Sequence, residues 1–167
     1  MTIIVRPEQP GDIPEIRTLL ASCFPTNGEA RLVDALRGAA RLPVSLVADV
    51  GGVIVGHVAF SPVSSAKGAK GVGLGPIAVA GQHRRQGIAE MLVQEGMSAC
   101  REAGFGWAVV LGEPAYYSRF GFHPASACGL SDEYGGGDAF QVVELSPGAL
   151  PVGDGVVRYA SEFAVLE

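Results

Sequence analysis

Residues 72–111 constrain the fold of this chain more than any other stretch. An apolar run ending in Gly75-Pro76-Ile77-Ala78-Val79 leads into a small, basic turn, Gln82-His83-Arg84-Arg85-Gln86-Gly87-Ile88-Ala89. Helical periodicity extends over 85–103 through Ile88, Met91, Leu92, Glu95, Met97 and Ala99, and Gly104 stands where a helix ends. A second apolar run follows at 105–111. Strand, helix and strand in one sheet predict a parallel pair joined by a crossover. Gly73, Gly75 and Pro76 inside the first strand predict a bulge, or a backbone that something approaches closely.

The preceding residues supply the other half of a sheet. Residues 1–7 read as an edge or first strand; they are too short and carry no basic leader for a signal peptide. Asp12 and Glu15 have capping-box spacing for a helix whose inner face carries Ile13, Ile16, Leu19, Leu20 and Cys23. Pro25-Thr26-Asn27-Gly28 ends it, and a second helix presents Ala30, Val33, Leu36 and Ala40. Strands at 45–50 and 53–60 flank the hairpin signal Gly51-Gly52, and 64–71 is expected as an exposed loop. Beyond 111, residues 114–120 give about two turns of helix stopped by Gly121, with short strands near 141–145 and 156–159. Without repeats or a linker, 1–167 is expected to be a single domain. Its class is α/β of the mixed α+β kind, with a mostly antiparallel sheet flanked by helices.

The chain is 48% hydrophobic and only 17% charged, which suits strands buried on both faces. No run reaches the roughly 18 apolar residues of a membrane span, so no membrane partner is expected. A net charge of −5 argues against general nucleic-acid binding. Cys23, Cys100 and Cys128 are odd in number and lack metal-ligand spacing. Reduced thiols, no metal and a cytoplasmic location are therefore expected.

The basic turn carries the first chemistry. A strand, a small-residue turn and a helix N-terminus gather unpaired backbone N–H groups at the positive end of a helix dipole, which suits a phosphate or pyrophosphate. Gly87 and Ala89 let the ligand approach, and Arg84 and Arg85 add charge. The run is neither a P-loop nor a dinucleotide fingerprint. A helix start with solvated arginines, or a site for a nucleotide's phosphate, are the other readings of the same residues. The second constellation is Leu111-Gly112-Glu113-Pro114-Ala115-Tyr116-Tyr117-Ser118-Arg119-Phe120-Gly121-Phe122. A phenol there suits protonation of a leaving thiolate, with pKa values of about 10 and about 8.5; packed aromatics are its plain structural reading.

Together these motifs resemble the GCN5-related N-acetyltransferase (GNAT) superfamily. Its pyrophosphate turn runs Gln or Arg, two residues, Gly, one residue, then Gly or Ala, as in Arg84-Arg85-Gln86-Gly87-Ile88-Ala89. Tyr116-Tyr117-Ser118-Arg119-Phe120-Gly121-Phe122 resembles the family's late aromatic helix, which puts Tyr117 at the usual general-acid position. Val55-Gly56-His57-Val58, Gly75-Pro76-Ile77-Ala78-Val79 and the tail Gly155-Val156-Val157-Arg158-Tyr159 are similar to the bacterial YhbS-like branch. The resemblance covers nearly the whole chain.

It implies a sheet splayed between two parallel central strands, with acetyl-CoA as co-substrate. Ile77, Ala78 and Val79 would pair with the pantetheine, Arg84, Arg85, Gln86, Gly87, Ile88 and Ala89 would hold the pyrophosphate, and Tyr116 would lie beside the cofactor. The implied activity is acetyl transfer from CoA to a primary amine of a small molecule or protein; an acyl-CoA-binding regulatory domain is the alternative. The chain would be a monomer or homodimer. Where many members carry Asn, this sequence has Val110-Leu111-Gly112, so thiol positioning rests on Tyr117. Glu113 is the first candidate base, and Glu29 the second, with water a further possibility. His57 lies mid-strand as a core or site-facing imidazole, and Cys128 has nothing nearby in sequence to lower its pKa.

Overall fold

Alternating burial on two faces explains how the strands assemble. The computed structural model describes residues 2–166. Strand β1 (Ile3–Pro7) pairs antiparallel with β2 (Val44–Val50), and β2 pairs with β3 (Val53–Ser65) across the Gly51-Gly52 turn. Met1, part of the expected first strand, lies outside the described residues. Leu46, Ala48, Val58 and Phe60 pack on one side with helix α3 (Ile88–Glu102), whereas Val47 and Ala59 pack on the other with α1 (Ile13–Cys23) and α2 (Gly28–Gly38). Both faces of these strands are therefore apolar, as the composition requires. Gly96 of α3 lies so close to the sheet that a Cβ there would stand 2.2 Å from Phe60 Cε1.

Strand β4 (Lys70–Val79) pairs with β3, and β5 (Trp107–Leu111) lies parallel to β4 across the α3 crossover. Helix α4 (Pro114–Tyr117) continues as a 3-10 turn to Phe120. Short β6 (His123–Pro124) and β7 (Leu130–Asp132) precede β8 (Phe140–Glu144) and β9 (Gly155–Tyr159). The sheet runs β1-β2-β3-β4-β5-β8-β6, while β9 pairs with the far end of β3 and with β7. The mixed, mostly antiparallel sheet flanked by helices is thus present.

Several local expectations change. Strand β3 continues to Ser65 because its end is covered by β9, leaving only 66–69 between β3 and β4. Helix α3 begins at Ile88, not Arg85, and buries Ile88, Leu92, Val93, Gly96 and Cys100; Glu95 is exposed. Hydropathy could not identify Gly96 as an inward position, since a glycine is buried there for backbone approach alone. Ala40 lies beyond α2, exposed and at φ 56°. Asp12 makes no capping box with Glu15: its carboxylate accepts from Arg6 and from the Gln9 N–H, while Glu15 accepts from the Ile54 N–H. No helix among the described residues is long and apolar enough to cross a membrane.

Candidate active site

The parallel strands pair only through Val72–Ala108, Gly73–Val109 and Leu74–Val110. They then part where Gly75 and Pro76 together face Ala59, the bulge expected in β4. The Ala80 N–H donates to the Val55 carbonyl at 2.8 Å. Strand alternation then turns the main-chain groups of Ile77 and Val79 toward the opposite edge, where no strand pairs with them. The Val79 carbonyl accepts there from Arg84 Nε at 3.2 Å and from Cys23 Sγ at 3.5 Å.

After a 3-10 turn at Gly81–His83, the chain takes left-handed geometry at Arg85 (φ 63°) and Gly87 (φ 80°) before α3 begins. For Arg85 this conformation costs about 1–2 kcal/mol. The turn makes a nest of N–H groups running into the unpaired first turn of the helix. A cavity of about 580 Å³ opens against it. Ile77, Ala78, Val79, Arg84, Arg85, Gly87, Ile88, Ala89 and Tyr116 all line this cavity; Gln86 does not, and its side chain is exposed. The sequence reading missed Arg119, whose guanidinium lies 4.4 Å from the Tyr116 ring centroid and donates to the Tyr116 carbonyl at 3.0 Å. Its spacing three residues after Tyr116 on a helix is the signal that would have revealed it. Cys23, Phe24, His83 and Glu90 complete the wall.

A second cavity, about 420 Å³, lies on the other side of Phe24 and Ile77, which line both. Tyr117 faces this one and is 9% exposed. No hydrogen bond engages its hydroxyl among the described residues, and burial pushes its pKa up to about 12. Gly112 stands against the ring, because a Cβ there would come within 2.4 Å of Tyr117 Cε2. The Glu113 carbonyl accepts the N–H groups of Tyr116 and Tyr117, at 3.0 and 3.1 Å.

The candidate bases are separated by the fold. Glu29, at the start of α2, lines the second cavity and is half-buried; no ion pair or hydrogen bond engages its carboxylate among the described residues. Glu113 is exposed and lines neither cavity, so its side chain does not share a cavity with Tyr117. The reason is local: the chain turns at Glu113 into α4, which directs the following tyrosines inward. His57 is fully buried away from both cavities, with Nε2 2.8 Å from Ser45 Oγ and Nδ1 unpartnered. Burial lowers its pKa to about 4, so the imidazole is neutral at pH 7. Cys128 also lies outside both cavities, 3.9 Å from His123 Nδ1. Tyr134, Tyr159 and Phe163, which line the second cavity, were not foreseen as site residues. Among the described residues, no group of three His, Cys, Asp or Glu side chains is placed to hold a metal.

Comparison with known proteins gives matches over most of the chain. The model of the acetyltransferase (GNAT) family matches residues 13–122. The uncharacterized N-acetyltransferase YhbS of Escherichia coli K12 is 42% identical over 164 residues, covering 96% of this chain and 98% of YhbS. A crystal structure of the E. coli GNAT family N-acetyltransferase YhbS in complex with CoA aligns with TM-score 0.92 and 41% identity. That alignment covers 97% of this chain and 92% of the other. A GNAT family acetyltransferase from Brucella melitensis, in complex with acetyl-CoA, aligns with TM-score 0.81 and 36% identity over 97% and 98% of the two chains.

Proposed function

This chain belongs to the acetyltransferase (GNAT) family, and from that premise we propose that it moves an acetyl group directly from acetyl-CoA to a primary amine. The observation carrying this reading is the meeting of two cavities at Phe24 and Ile77, one beside a pyrophosphate-type turn and the other holding an unengaged buried phenol. The ligands of the E. coli and Brucella relatives support assigning the first cavity to acetyl-CoA. The N–H groups of the turn and of the first turn of α3 then take the pyrophosphate, with charge from Arg84 and Arg85. The free edge at Ile77 and Val79 accepts the pantetheine as an added strand would.

The amine enters through the second cavity. Glu29 takes its ammonium proton, and the freed nitrogen attacks the thioester carbon. The C–N bond forms to give a tetrahedral oxyanion held by the Val79 N–H. Its collapse breaks the C–S bond as Tyr117 protonates the departing sulfur, and the second proton of the acetylated nitrogen restores the Tyr117 phenol. Burial holds the Tyr117 proton in place at neutral pH, and it also penalises the CoA thiolate, so donor and acceptor pKa values rise together. Glu29 is assigned as base over Glu113 because it shares a cavity with the phenol.

Thiol release from acetyl-CoA, measured with a panel of amines, tests the activity. Tyr117→Phe should lower kcat by about 100-fold with little change in acetyl-CoA affinity; an unchanged kcat removes Tyr117 from the mechanism. Because its pKa lies near 12, Tyr117 stays protonated from pH 7 to 10 and should impose no alkaline fall in kcat over that range. Acetyl-CoA binding without thiol release in the presence of any amine would leave a binding domain instead.

A further inference from the structure

The second cavity selects among amines by what its wall contains and what it lacks. Phe24, Leu32, Leu74, Val110 and Leu111 supply aliphatic and aromatic surface. Tyr134, Tyr159 and Phe163 form a chain of rings, with centroids 5.9 Å apart for the first pair and 4.9 Å for the second. Among the described residues, Glu29 is the one ionisable carboxylate lining the cavity, and no Lys, Arg or His lines it. Nearby acids are already engaged. Glu133 accepts from the Tyr159 N–H and pairs with Arg158, Asp132 accepts from the Tyr134 and Gly136 N–H groups, and Glu162 pairs with Arg41.

We infer that the acceptor is a small primary monoamine carried on an apolar or aromatic body, with no carboxylate of its own. This rests on the second cavity being the acceptor site. Such an amine has a pKa near 10 and arrives as a single cation. Glu29 matches that charge, and the rings can take a cation or an aromatic body against their faces. A free amino acid would bring a carboxylate into a wall with no cation to meet it, and burying it unpaired is strongly unfavourable. A polyamine or aminoglycoside would press its further ammonium groups against Leu and Phe. The volume of about 420 Å³ suits a small ligand, and the turn Ser161–Leu166, seated on α2, bounds it with Phe163 and Leu166.

Calorimetric titration of the full chain bound to CoA, with 2-phenylethylamine, spermidine, phenylalanine and a phenylalanyl tripeptide amide, tests the assignment independently of turnover. 2-Phenylethylamine should bind at least tenfold more tightly than each of the others. Glu29→Gln should weaken it about tenfold, and Phe163→Ala, checked for an unchanged Tm, should weaken it several-fold. Equal or tighter binding of spermidine or phenylalanine overturns the inference, as does failure of 2-phenylethylamine to bind. Tighter binding of the tripeptide amide assigns the site to chain termini and likewise overturns it. Thiol release is read separately. A bound 2-phenylethylamine that releases no thiol defeats the transfer reaction alone, whereas release with spermidine and not with 2-phenylethylamine defeats this inference alone.

Discussion

The two cavities are built in opposite ways. Most of the first comes from one continuous run, 77–90, and much of what it offers is main chain: a free strand edge, a nest at Arg85 and Gly87, and a helix N-terminus. The second gathers side chains from α1's end, α2, β4, β5, α4, the segment between β7 and β8, β9 and the C-terminal turn, and among the described residues it offers mostly apolar surface with one free carboxylate. Backbone donors recognise a phosphate whatever side chains surround them, so a short motif suffices. Side chains brought from distant segments can instead be exchanged one at a time. The first cavity therefore reports the class of donor, and the second reports the individual acceptor.

Variants can test this division. After the loss at Tyr117, the largest effect on KM is expected from Arg84→Ala combined with Arg85→Ala. It should raise the KM for acetyl-CoA on the order of thirtyfold, less at high salt, while kcat and the KM for the amine stay nearly constant. An equal rise in both KM values would mean that the cavities are not separable. Glu29→Gln should do the converse, raising the KM for the amine about tenfold and, through loss of the base, lowering kcat as well, with acetyl-CoA affinity unchanged. The parallel variant Glu113→Gln should stay within about twofold of the parent, as expected of an exposed residue; a greater loss there returns the base to Glu113. The smaller loss at the turn itself is Gly87→Ala. A Cβ at Gly87 meets nothing within 4 Å, so its cost is the φ of 80° alone, about 1 kcal/mol and about 2–4 °C in Tm, with a several-fold weaker grip on acetyl-CoA. An unchanged Tm would show that the turn relaxes to another conformation.

Legibility followed the same division. The β4–α3–β5 crossover, the bulge at Gly75-Pro76 and the basic turn were all visible because each depends on residues adjacent in sequence. So was the pairing of Tyr116 and Tyr117 on one short helix, although nothing in the sequence shows that they line different cavities. Glu29 and Glu113 looked alike as helix-start carboxylates. Eighty-four positions apart, they differ only in which way their helices are carried by the sheet. The extension of β3 to Ser65 depended on β9, and Gly96 was unreadable as a core position because its burial follows from Phe60 across the interface.

By itself, the sequence determined the elements whose causes are local: periodicity for the helices, glycine for the left-handed turns, and a run of small and basic residues for an anion site. Tertiary structure decided what required distant segments to meet. It parted β4 from β5 beyond Leu74, put Phe24 and Ile77 between two cavities, buried Tyr117, and brought Glu29 into the same cavity as Tyr134, Tyr159 and Phe163. Backbone geometry is set within a few residues, whereas burial and charge pairing depend on which surfaces the completed fold brings into contact.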